Sequence, residues 1–252
     1  MNNDGFVSIS YKVGHKDIWE PRMARINQAC YRAELQTVVN GDRDVCTIHV
    51  NVDNLSEWME RLRILGLVLT PIVHVADFHG YNHKHQKPTP NKPSHWLCGV
   101  TRTHEIGQAF KEAEGGCNHK EAGRLLGFPE CCTDAFLVNF RKNFDPQPLI
   151  TAETTYPECN VTLRYFGARF ISHLPCSTDC SASREVAKKF IKAIKMIDPE
   201  VVDWVYELLN GPLTWDSYHG IVEVDTPHFL GISHTFPLME REIIRWDGII
   251  GG

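Results

Sequence analysis

Apolar and polar residues alternate along this chain with a period that changes several times, and each change marks an element. Residues 6–10 predict a short strand and residues 21–39 a helix, closed by the turn signal Asn40-Gly41-Asp42. Residues 45–50 have the β-branched content of a strand. Asn54 or Ser56 then caps a helix over 57–65 that stops at Gly66, and a largely apolar run follows over 67–75. Strand, helix, buried strand is the rhythm of an α/β unit. Residues 96–103 predict another strand and 105–114 a helix ending at Gly115-Gly116.

The middle of the chain reads as mostly helical. Asn118 caps a helix of about two turns, with Glu121 as its return partner and Gly127 as its left-handed stop. Pro129 suits the first position of the next helix, where its missing N–H would have had no partner, and Asp145-Pro146 ends that helix. Residues 159–173 predict a further helix, broken by Pro175. Ser177, Thr178 and Asp179 are competent caps for a helix through Arg184 to Ile197, and helix resumes after Asp198-Pro199 to residue 209. From residue 215 the pattern turns to two or three short strands. The expected fold class is therefore α/β (α+β): a mixed strand and helix part over 1–116, a helical cysteine-bearing part over 117–212, and a β-rich tail over 213–252 that packs back on the same globule.

The composition of the 252 residues, 42% hydrophobic and 23% charged with a net charge of −5, is ordinary for a globular protein. It gives no sign of a nucleic-acid coat or a membrane-surface binder. The opening residues lack the basic and apolar regions of a signal peptide, and no apolar run approaches the roughly 20 residues that span a bilayer. A cytosolic protein is expected. Nine cysteines without a secretory signal argue for metal binding or catalysis rather than a disulfide framework.

Four of those cysteines form two pairs at predicted helix starts: Cys131 and Cys132 in one first turn, Cys176 just outside the next cap and Cys180 within the opening turn. The positive end of a helix favours the thiolate, which is both the nucleophile and the metal ligand. Cys176 and Cys180 share a face if the helix includes both. Cys131 and Cys132 diverge by about 100° in a regular helix, so a division of labour is expected, with one on the metal and one beside it. Cys117, His119 and His173 are reserve ligands. Three thiolates on an iron–sulfur cluster would leave one iron open to substrate, with a remaining thiol of Cys131 or Cys132 acting beside it. Four ligands on zinc would close the site. Thiol chemistry without metal is a third possibility.

Gly127-Phe128-Pro129-Glu130-Cys131-Cys132 and Pro175-Cys176-Ser177-Thr178-Asp179-Cys180 resemble the G-(F/Y)-P-x-C-C and P-C-S-x-x-C pattern of a prokaryotic domain-of-unknown-function family, number 483. The resemblance covers roughly residues 120–185. It implies that the two pairs serve one site and supplies no reaction. The same stretch has a helix-turn-helix cadence, but a first turn reading Glu130, Cys131, Cys132, Thr133, Asp134 would repel a phosphate backbone, which argues against DNA.

Two polar regions offer substrate contacts. The segment over 79–93 carries Lys84, Lys87 and Lys92 with His83 and His85, a set suited to gripping an anion, and the tail carries His219, His228 and His234 with Glu223 and Asp225. The bland alternative is a solvated loop and the outward faces of half-buried strands. Together these features point first to an iron–sulfur enzyme acting on a small-molecule or nucleotide-like anion, by sulfur transfer or Lewis-acid activation. A zinc-stabilised structural or interaction protein is the alternative.

Overall fold

The computed structural model describes residues 7–76, 87–90, 92–140, 156–234 and 241–248. Among these are seven α-helices and eight strands in two antiparallel sheets, a mixed α/β fold. The described residues divide into two compact units, 34–134 and 7–33 with 135–248, and the division falls within the first and fifth helices.

In the unit over 34–134, β2 (Val45–Asn51), β3 (Val68–Ala76) and β4 (Ser94–Thr101) form a three-stranded sheet in the order β2-β4-β3. Helix α2 (Leu55–Ile64) connects β2 to β3. The strand–helix–strand rhythm is present, but β4 inserts between the two strands and pairs antiparallel with both. Helix α3 (His104–Gly115), capped by Thr103 Oγ1 on the Ile106 N–H at 3.4 Å, covers the sheet. Its Phe110 and Ala113 meet Val45 and, from α4 (His119–Leu125), Ala122 and Leu125.

In the other unit, α1 (Lys16–Val39) lays Trp19, Met23, Ile26, Ala29, Cys30 and Ala33 along one buried stripe at three- and four-residue spacing. Burial of Trp19 explains why α1 begins five residues before the predicted start. The His15 carbonyl takes the Trp19 N–H at 2.9 Å, and exposed Pro21 is tolerated inside the helix at the loss of one backbone bond. The five-stranded sheet runs β1-β7-β6-β5-β8, where β1 is Val7–Tyr11, β5 Leu213–Tyr218, β6 Ile221–Asp225, β7 Phe229–His234 and β8 Glu242–Trp246. Its buried Trp215, Val222, Val224 and Phe229 join the core built on α1, α6 (Ser181–Ile197) and α7 (Glu200–Asn210). Glu223 and Asp225 alternate outward, as half-buried strands require.

The helix expected over 159–173 is absent. Two 3₁₀ turns, Pro157–Cys159 and Arg164–Phe166, stand in an otherwise irregular stretch. The reason is burial on every side: from Glu158 to Phe170 each residue but Arg169 is buried, so no polar helical face exists. Backbone groups find side-chain partners instead, with the Thr162 N–H donating to Asn160 Oδ1 at 3.1 Å and Asn160 Nδ2 donating to the Leu209 carbonyl at 3.0 Å. The predicted stop at Asp145-Pro146 lies outside the described residues.

Candidate metal centre

The first half of the site is built by α4 and α5 (Glu130–Phe140). Asn118 Oδ1 accepts the Glu121 N–H at 3.2 Å, so the cap forms as the sequence predicts. The expected return bond is replaced, because the Glu121 carboxylate is taken by Arg124 at 2.7 and 2.9 Å. Gly127 has φ +73°, the left-handed stop, and Gly123 lets α4 lie against Thr133, whose Oγ1 would sit 2.7 Å from an added Cβ. The Pro129 carbonyl then receives both the Cys132 and Thr133 N–H groups at 3.0 Å, closing the first turn of α5.

Cys131 and Cys132 occupy that turn with their sulfurs 3.8 Å apart. The expected divergence of adjacent helical side chains does not separate them. Cβ bonds tilt toward the helix N-terminus, and at its very end no earlier turn stands between the two thiols. Cys176 and Cys180 also differ from expectation: α6 begins at Ser181, so they do not share a helical face. Cys180 is itself the N-cap, its Sγ accepting the Ser183 N–H at 3.4 Å, in place of Ser177, Thr178 or Asp179. The preceding irregular loop carries Cys176.

The Sγ atoms of Cys131, Cys132, Cys176 and Cys180 all lie within 4.8 Å of one another. Cys132 and Cys180 are buried, whereas Cys131 and Cys176 are exposed, so the set has a dry side and a wet side. Four thiols this close are a complete donor set for a metal. Among the described residues the set is these four cysteines alone. Cys117 is exposed at φ +53°, His119 opens α4, and neither joins it. His173 is also outside it: the ring is buried, its Nε2 lies 2.8 Å from Ser183 Oγ, and burial pushes its pKa down to about 3.

A fifth thiol stands behind the site. Cys159 is fully buried and donates to the Cys180 carbonyl at 3.6 Å. Burial first, then the charges of Cys180, Glu158, Cys176 and Asp179, push it up to about 12, so it stays a neutral donor. Next to it Glu158 is buried beneath Tyr206 and Arg184. The sequence reading assigned neither residue a role. Their signal was a lone glutamate beside a cysteine at the start of an apolar stretch.

The predicted substrate residues are spread over other places. Lys87 and Lys92 are exposed, and Lys84, His83 and His85 lie outside the described residues. His219 sits in the β5–β6 turn at φ +49° with its ring 3.9 Å from that of Tyr218. His228 stacks on Trp19 at 4.3 Å, with its Nδ1 3.2 Å from His15 Nδ1. His234 ends β7, and its side chain lies outside the description. A groove of about 490 Å³ runs beside α4 and α5, but its cations are already matched: Lys120 lies 3.2 Å from Asp134, and Arg124 holds Glu121. No helix among the described residues is long and apolar enough to cross a membrane. Compared with family models, with curated proteins and with solved structures, the chain matches none.

Proposed function

We propose that this chain is a metalloprotein in which Cys131, Cys132, Cys176 and Cys180 hold one metal centre. The observation that carries this reading is the mutual approach of four thiols within 4.8 Å. A single tetrahedral ion suits the spacing best. Thiolates about 2.3 Å from zinc stand about 3.8 Å from one another, and the Cys131 and Cys132 sulfurs are 3.8 Å apart. Four thiolates would fill zinc's coordination shell, so its role would be to fasten the start of α5 to the loop before α6. The two buried thiols would otherwise be costly to ionise, and the metal's charge compensates for that.

An iron–sulfur enzyme is the second reading, favoured by the exposure of Cys131 and Cys176, which opens one side of the site to a small anion. A multi-iron cluster would hold its thiolates further apart than one ion does, so it requires the loop before α6 to open.

Metal analysis and visible absorption of protein purified without oxygen, beside a Cys176→Ser, Cys180→Ser variant, test both. One equivalent of zinc in a colourless protein, lost in the variant together with thermal stability, is the expected result. Iron with acid-labile sulfide and a brown colour would transfer the assignment to the cluster. A metal-free, folded wild-type protein would overturn both readings and leave the thiols as the reactive groups.

A further inference from the structure

Arg184 lies in the first turn of α6, four residues after Cys180, and its N–H donates to the Cys180 carbonyl at 3.1 Å. Its guanidinium is held from two sides. The carbon at its centre lies 4.4 Å from the centroid of the Tyr156 ring, and its Nε lies 3.9 Å from Glu158 Oε1. Glu158 is fixed in turn by the Tyr206 hydroxyl, which donates to the same oxygen at 2.9 Å. The Tyr156 N–H donates to the Thr178 carbonyl at 3.4 Å, so the stacking platform is tied to the loop that carries Cys176.

The geometry and burial divide the guanidinium into two ends. Nε is buried facing Glu158 at 3.9 Å, an ion-pair contact without a hydrogen bond, while the side chain as a whole is 43% exposed, so the exposed part is the terminal fork. Among the described residues, that fork has no hydrogen bond to a carboxylate, carbonyl or hydroxyl. The nearby carboxylate of Glu185 is engaged by Lys188 at 2.6 Å. An arginine whose plane is stacked and whose inner edge is buried beside a carboxylate has little further freedom to lose on binding, and its two outer N–H groups match the two oxygens of a carboxylate or phosphate. The N-terminal end of α6 adds its positive potential at the same place.

We infer that Arg184 is an oxyanion receptor at the rim of the cysteine site, held ready by Tyr156, Glu158 and Tyr206, and that its ligand is a small molecule bearing a carboxylate or phosphate group. Anion binding depends on these residues and the N-terminal end of α6, not on a metal. Only its interpretation as substrate capture rests on the metal-centre reading.

The test follows the Arg184 Nε–H resonance while malonate and, separately, inorganic phosphate are titrated at constant ionic strength. Saturable shifts with one or both probes are expected, and the probe that saturates at lower concentration names the group. Arg184→Gln should weaken binding by at least about tenfold, the range of a charge-assisted bond, followed through neighbouring backbone amides. Arg184→Lys should keep the charge and lose most of the affinity, because lysine lacks the fork. Metal content and urea midpoint are measured on the same samples. Unsaturating shifts with both probes, or equal binding by the Gln variant with its fold intact, would overturn the receptor. A metal-free wild type that still binds the anion would sink only the metal-centre reading.

Discussion

Gly231 shows how one missing side chain fixes a packing arrangement. In sequence it reads as a break, yet it lies inside β7, paired with Ile9 on one side and Val224 on the other. The cause is long-range and so was not legible locally. The ring of Phe166, itself 1% exposed, lies against the strand with carbons 2.5 and 2.6 Å from where a Cβ would stand. Phe166 also meets Phe229 edge-on at 6.0 Å, which leaves it no room to withdraw. Gly231→Ala should cost about 3 kcal/mol, the upper end for overpacking a core. Gly14 is the contrast: its φ is +79° but nothing lies within 4 Å of its Cβ position. Gly14→Ala should cost only the left-handed strain of about 1 kcal/mol. Urea unfolding of the two variants checks the pair, and equal losses would refute the packing argument.

At the level of elements, what the sequence made legible is what local chemistry determines. Asn118 and Gly127 mark the ends of α4 where they were expected, by a side-chain cap and a left-handed stop, whereas α5 begins at Glu130, one residue after the Pro129 expected to open it, and Pro129 stands as the cap whose carbonyl takes the Cys132 and Thr133 N–H groups. Residues 157–180 were not legible, because their conformation is decided by burial on all sides and by partners such as Leu209 that lie far along the chain. The thiol pairs were recognisable by type and position, but their convergence depends on that irregular segment. Cys159 and Arg184 acquire their positions from it as well. The cap at Asn118 gives a direct measure of how far the local signal contributes. Asn118→Ala removes the acceptor for the Glu121 N–H and should cost about 1 kcal/mol, while Asn118→Asp should restore most of it. If metal retention against a chelator falls with the Ala variant and returns with the Asp variant, α4 supports the first turn of α5. An unchanged retention would show that α5 is positioned without it.

Across the whole molecule, the mixture of helix and strand was predictable from hydrophobic period, whereas sheet topology was not: nothing in residues 94–101 announces that β4 pairs between β2 and β3. Global stability should nevertheless carry one signature of a single buried ring. His173 is 5% exposed, and burial lowers its pKa to about 3 from an ordinary value of 6.5. Above pH 6.5 the ring is neutral whether the chain is folded or not, and it adds no pH dependence. Between 6.5 and 3 the unfolded chain binds a proton that the folded chain refuses, so stability falls as pH falls, by up to about 1.4 kcal/mol per unit. Burial lowers His228 as well, with the same sign. Thiolates released from a metal would also take up protons, but they do so equally in a His173→Gln variant. The comparison is therefore one of slopes: urea-derived stability is measured from about pH 7.5 to 4.5 in both proteins. The variant should be less stable near neutrality, through lost packing and the lost contact with Ser183. Its acid limb should be shallower by about one proton, so the two curves converge as pH falls. Parallel curves would mean that His173 is already protonated, or reached by water, in the folded protein.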